Sequence, residues 1–478
     1  MTVIKKDVIF RTKCIIVLTL IFEILIVSSH ESPSSSKSLK IAVIGAGPAG
    51  LTSAKNALEQ GHNVVIYEKG EAIGGIWFYT DKTGKDEYGV DIHTAMYQGV
   101  RTIVPYQLME FPGHTFPNST PSYPSHEDVW KYLNSYADRF SLRKHIKLHH
   151  LVEKVHSIEN NKWNITVKVL PNNDTESVIY DAVFVCINIY SSPNYPQIER
   201  AHEFKGNFLH SHDYRRAEVF RGADVLVIGN GASGNDIVLQ LSKTANRVTW
   251  SRHKLNKPTE DERKEYGKNV TFQNNVKFLT TNGAEFLDGM QQNFTVIIYA
   301  TGYNASFSIL DADTGIHVHN NYVQPLYKQI LNIEHPTMAF IGLFVTFNLM
   351  DLQARFALKF ILGAKKLPSK SEMLKDMQDY AESQLKKGLK VYLVSAGDRK
   401  EYYGNLARIA DIAKISDVYT EIFIDSQESW QKDPFGYRND KYTIIDDETF
   451  IKERGANGSL MSFIQLHTVK SHKFTFIL

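Results

Sequence analysis

The chain has 478 residues, 43% hydrophobic and 22% charged, which is enough for two or three domains with buried cores. Its 54 basic and 52 acidic residues are interspersed and leave a formal charge of +2, which excludes the concentrated basic face of a nucleic-acid binder. With only two cysteines, Cys14 and Cys186, it is not a disulfide-stapled scaffold.

Lys5, Lys6, Arg11 and Lys13 precede a mostly apolar run over residues 14–27, then Ser28 and Ser29. This is the pattern of a secretory signal peptide over residues 1–29. Glu23 makes a permanent membrane span costly, so weak membrane association is expected only through an uncleaved N-terminus. Residues 30–38 are Ser/Pro-rich and read as a linker. Sequons at Asn118, Asn164, Asn173, Asn269, Asn293, Asn304 and Asn457 fit passage through the secretory pathway, to the endoplasmic reticulum lumen or outside the cell. Cys186, in the apolar run 182–187, reads as a buried strand cysteine.

The first chemical signal follows the linker. A β-branched run over residues 40–44 leads into Gly45-Ala46-Gly47-Pro48-Ala49-Gly50, then a helical stretch to about Gln60, then a strand over residues 63–67 ending at Glu68. That is the context a dinucleotide fingerprint requires: glycines for a tight turn and close approach of the backbone to pyrophosphate, and a carboxylate for the ribose diol. Further on, Ser125 and Asp128 predict the capped start of a helix over residues 126–140.

A second unit repeats the pattern. Residues 224–228 lead into Gly229-Asn230-Gly231-Ala232-Ser233-Gly234, a helix is expected over residues 235–245, and a strand over residues 247–251 ends at Arg252. Glu68 and Arg252 each lie 23 positions after the first glycine of their loop. The carboxylate suits FAD or NAD and repels a 2′-phosphate, whereas the guanidinium, with His253 and Lys254 beside it, suits NADP. A third apolar run, from Val296, breaks at Thr301-Gly302 and is expected to return the chain to the FAD unit.

Around these units stand Gly74-Gly75-Ile76-Trp77, the segment from Phe204 through Gly206 and His210 to Tyr214, and Leu352-Gln353-Ala354-Arg355-Phe356-Ala357 with Leu367-Pro368 beyond it. Together they resemble the flavin-containing monooxygenases from about residue 39 to at least residue 368, including signal-bearing insect members that N-oxygenate plant alkaloids. The resemblance implies an α/β fold of two Rossmann-type domains, the NADPH domain (201–295) inserted in the FAD domain (39–200 and 296–478). FAD and NADPH are then the cofactors, and small lipophilic nitrogen or sulfur nucleophiles and O₂ the substrates. The flavin carries the chemistry through a C4a-hydroperoxide, so no protein nucleophile or metal is called for.

The same resemblance implies that Gly75, Ile76, Trp77, Thr102 and Gly302 join the first loop at FAD, that Ser211 joins the second at NADP, and that Gln353 lies near the flavin. Two positions depart from the family pattern. Ile103 stands where the family has an Asn that helps hold the oxygenated flavin and nicotinamide, and Ile187-Asn188 replaces a Thr-Gly. Ala232 replaces an Asn in the second loop, a milder change. Three alternatives therefore stay open: an uncoupled NADPH oxidase, another reaction on the same fold such as Baeyer-Villiger oxygenation or disulfide reduction, and a flavin-free homologue that only binds nucleotide or ligand.

Overall fold

The structure, a computed structural model, describes residues 38–253, 259–343, 345–454, 463–468 and 471–477. The signal peptide and all of the linker but Ser38 lie outside the described residues, as do Lys254 and Asn457. The rest of the description concerns the unit Leu39–Leu478, in which the strands of the two large sheets are numbered in chain order.

β1 (Lys40–Ile44) runs into helix α1 (Pro48–Glu59) and then β2 (Asn63–Tyr67), and the two strands pair in parallel with Ile44 opposite Tyr67. Parallel pairing needs such a crossover, and helices on one face with an antiparallel sheet on the other leave four of the five β1 residues buried. α2 (His126–Arg139) starts at the expected capping box of Ser125 and Asp128. β3 (Ile146–Lys147) extends the sheet beside β2, and β4 (Ala182–Val185) pairs on the other side of β1. A three-stranded antiparallel sheet over residues 150–180 separates them in sequence.

The chain then builds a second, all-parallel sheet from β5 (Asn207–His210), β6 (Asp224–Ile228), β7 (Arg247–Ser251), β8 (Val270–Gln273) and β9 (Val296–Tyr299), in the order β8-β7-β6-β9-β5. α3 (Ala232–Leu241) crosses from β6 to β7, and α4 (Glu260–Tyr266) precedes β8. α3 starts three residues earlier than expected because Gly231 is already its N-cap.

β9 corrects the expected domain boundary. Residues 296–299 pair with β5 and β6 in the second sheet, so the second unit runs past residue 295 and this strand does not return to the first. A fully buried VIIY run looks the same in either sheet, so periodicity could not choose between them. The returning strands are β10 (Leu326–Tyr327), β11 (Leu331–Asn332) and β12 (Met338–Phe340), which complete the seven-stranded order β10-β11-β12-β4-β1-β2-β3. β12 lies parallel to β4.

Four further helices follow: α5 (Phe347–Ile361), α6 (Lys370–Lys386), α7 (Arg399–Ala410) and α8 (Asp417–Lys432), and a four-stranded sheet closes the chain. One face of the first sheet shares a hydrophobic core with α1, α2, α5 and α7, its other face shares one with the three-stranded antiparallel sheet, and the second sheet has two of its own. Among the described residues no helix is long and apolar enough to cross a membrane.

Candidate active site

Gly45 leaves β1 at φ +101 with its N–H on the Tyr67 carbonyl at 2.8 Å. A methyl group on Gly50 would come within 1.9 Å of the Gly45 carbonyl oxygen, so α1 packs on the loop more closely than any side chain permits. Ala46 and Ala49 are buried beside it. Gly47 caps α1 without a side-chain hydrogen bond, and Pro48 has no N–H to satisfy, which leaves the first-turn amides to an anion. Opposite lies the turn Gly75-Ile76-Trp77. A methyl on Gly75 (φ +57) would approach the Gly47 Cα to 3.1 Å, so this turn packs its backbone directly against the start of α1. Trp77 packs edge-on to Phe347, and the Ile76 carbonyl accepts the Thr94 hydroxyl at 2.9 Å.

Glu68, only 4% exposed, closes the far end of the loop. Its Oε2 accepts the Ala46 N–H at 2.9 Å and its Oε1 the Gly70 N–H at 2.8 Å. Each carboxylate oxygen keeps a second lone pair, enough to hold the loop and a ribose diol together.

The second loop has the same construction. Gly229 (φ +115) sits so close to β9 that a methyl there would lie 2.2 Å from the Ala300 carbonyl oxygen, and a methyl on Gly234 would lie 2.3 Å from that of Gly229. Gly231 has open space, Asn230 and Ala232 are exposed, Ser233 is half-buried, and no side chain caps α3. At the end of β7 the Arg252 guanidinium lies over Trp250 and Phe272, at 4.9 and 4.5 Å from their ring centres. Its Nη1 donates to Glu262 Oε1 at 2.7 Å, while its buried Nε has no partner. An orphaned guanidinium donor beside an open glycine loop fits a 2′-phosphorylated nucleotide. Ser211 is buried at the exit of β5, its N–H on the Tyr299 carbonyl at 2.8 Å.

The strand that closes on the first loop is β12. It ends at Gly342 (φ +89), where a methyl would lie 2.8 Å from the Ala49 Cβ. Gln353 on α5 is 2% exposed, and its Oε1 accepts the Gly342 N–H at 3.1 Å. Two residues earlier, buried Asp351 accepts from the Thr52 hydroxyl, the Asn56 amide and Arg355 Nε at 3.1, 2.8 and 2.7 Å, which clamps α5 to α1. The Leu352-Gln353-Ala354-Arg355 segment thus holds the Gly342 turn and the contact between α5 and α1 in place. Gly302 (φ +81) lies three residues beyond β9, with its carbonyl accepting the Asn194 N–H at 2.9 Å. Its assignment to the returning strand is therefore corrected along with that of β9.

Ile103 is 52% exposed and lines a cleft with Ala232, Asp236, Trp430 and Arg438. Arg438 bridges the walls, its Nε on the Thr102 carbonyl and its Nη1 on Asp236 Oδ1, both at 3.2 Å. Thr102 itself is buried, and its hydroxyl has no partner. The segment also reaches the second sheet through Gln240, whose side chain accepts the Tyr214 hydroxyl at 2.9 Å and donates to the Gln98 carbonyl at 3.0 Å.

The flavin-binding monooxygenase-like family profile matches residues 38–256 and 263–431. The chain belongs to this family. It is 35% identical to senecionine N-oxygenase of Tyria jacobaeae over 434 residues, which is 90% of this chain and 95% of that one. It is 32% identical to the Arabidopsis thaliana flavin-containing monooxygenase FMO GS-OX4, covering 74% and 80% of the two chains. Among solved structures, the S-allyl-L-cysteine S-oxygenase of Allium sativum superposes with a TM-score of 0.77 at 26% identity, covering 84% of this chain and 95% of the other. The Tmm protein of Pelagibacter sp. strain HTCC7211 superposes at 0.76 with 30% identity, covering 84% and 93%.

The monooxygenase carries its departures from the family pattern close to the two loops. Ile187 follows β4, and its Cγ2 lies 3.5 Å from where a Gly45 methyl would be. Asn188 folds back, its Oδ1 accepting the Ile189 N–H at 2.6 Å and its Nδ2 donating to the Gly342 carbonyl at 3.4 Å. Cys186 is buried, and burial pushes its thiol up to about 12, so it is inert. Gly342 and Asp351 escaped the sequence reading. The signals were there: a glycine ending an apolar run over residues 338–341, and an acid inside the apolar stretch of α5 with a base four residues on.

Proposed function

We propose that the enzyme oxygenates soft nitrogen or sulfur atoms of small lipophilic compounds, with FAD on the first loop and NADPH on the second. The observation that carries the cofactor placement is the pair Glu68 and Arg252, an acid and a base at equivalent strand ends of two units built on the same glycine geometry. Names among the relatives, an alkaloid N-oxygenase and an S-oxygenase, support the substrate class.

When bound, FAD reduced by NADPH supplies the activation of O₂. The chain's own residues bind and orient. Gly47 leaves the first-turn amides of α1 open to the pyrophosphate while Gly75 packs its backbone against that turn, and Glu68 anchors the ribose while bracing the loop. Gln353 fixes the Gly342 turn against α1, and the cleft beside Ile103 brings the second loop toward the first unit. No protein side chain needs to act as nucleophile or base. An oxygenase is favoured over a disulfide reductase because Cys186 is the only cysteine among the described residues and is buried among apolar side chains.

The test is cofactor selectivity. A lost Arg-to-phosphate contact removes about 1.5 kcal/mol or more, so NADPH should be preferred over NADH by at least about tenfold, and Arg252→Ala should shrink that ratio. Equal use of both nucleotides by the unmodified enzyme would refute the assignment of the second loop.

A further inference from the structure

The Arg252 guanidinium is already paired. Glu262 Oε1 sits 2.7 Å from Nη1, and both side chains are largely withdrawn from solvent, at 13% and 21% exposure. The same carboxylate caps α4, its Oε2 accepting the Thr259 N–H at 2.9 Å, while the Thr259 hydroxyl accepts the Glu262 N–H at 3.1 Å. The cap fixes the carboxylate in place, and the first turn also carries exposed Glu260 and Asp261. Glu262 falls in the stretch 257–262 that the family profile leaves unmatched.

A phosphate seated on this guanidinium would lie within a few ångströms of a fixed carboxylate, in a place where solvent screens little. We propose that Glu262 is a specificity-determining residue that competes with the 2′-phosphate for Arg252 and holds the NADPH preference below what the arginine alone would give. This rests on the assignment of NADPH to the second loop. Removing the charge does not release the arginine, because its contacts with Trp250 and Phe272 remain. Non-phosphorylated nucleotide makes no demand on Arg252 and is indifferent to the change.

Isothermal titration of the FAD-loaded protein with 2′,5′-ADP and with 5′-AMP tests this through the ratio of their dissociation constants. Glu262→Gln keeps an acceptor for the Thr259 N–H and should raise the preference for 2′,5′-ADP at least threefold, with 5′-AMP affinity unchanged. Thr259→Ala loosens the cap but keeps the charge, and should not raise it. An unchanged or smaller preference in Glu262→Gln, while Arg252→Ala still lowers it, would overturn the competition and make Glu262 a positioning residue. An equal rise in both variants would also overturn it, since helix loosening would then be the cause. No preference in the unmodified protein and no effect of Arg252→Ala would overturn the NADPH assignment itself.

Discussion

The side-chain oxygen of Gln353 accepts the backbone N–H of Gly342 at 3.1 Å, and by that bond α5 holds the left-handed turn that closes the first sheet over Ala49. Gln353→Ala leaves a buried N–H without a partner, a cost of about 1–3 kcal/mol. The expected result is a lower melting temperature and faster loss of FAD on gel filtration, with an unchanged yield of oxygenated product per NADPH in the fraction that keeps its flavin. A fully stable, flavin-replete variant whose yield collapses would place the amide at the reacting atoms instead.

Ile103 gives a sharper case because it is half-exposed in the cleft beside the second loop. An asparagine there buries no unpaired amide, so Ile103→Asn should leave the melting temperature within a degree or two. The new amide can hydrogen-bond a bound nicotinamide, and one such bond is worth about 1 kcal/mol, a several-fold effect on a competing rate. The share of NADPH lost as H₂O₂ should fall by that factor. No change in H₂O₂ release would show that the side chain points away from the cofactors.

The sequons can be sorted by what their amides already do. Asn269 donates to the Ser242 and Ala245 carbonyls, both at 3.1 Å, so a glycan there would break the contact between β8 and the end of α3. Asn118 lies exposed in a turn, and Asn173 is exposed at φ +60. Expression with the native N-terminus in a secreting eukaryotic host should yield glycans at Asn118 and Asn173 and none at Asn269, read by peptide mass before and after glycosidase. An unmodified protein with Met1 to Ser29 intact would contradict the secretory reading.

The two glycine loops, the acid and base beyond them, and the capped α2 were legible in the sequence because each is local. Strand, turn, helix and strand lie within about thirty residues, and glycine marks each close approach. What escaped was long-range. β9 and β12 are both short buried apolar runs ending near a glycine, and only pairing partners about 70 to 90 residues away in the first case and about 155 in the second decide which sheet each joins. The bond from Gly342 to Gln353 was not legible either, since nothing in a helical pattern says that its amide oxygen faces Gly342. Glu262 was invisible as a partner of Arg252 because ten positions and a change of element separate them.

Oxygen-isotope incorporation tests the central claim most directly. The full enzyme loaded with FAD, incubated with NADPH, a tertiary amine or thioether and ¹⁸O₂, should give an N-oxide or S-oxide carrying one ¹⁸O atom, with NADP⁺ formed at least in equal amount. NADPH consumption that yields only labelled H₂O₂ and no labelled oxide, across several amines and thioethers, would contradict it.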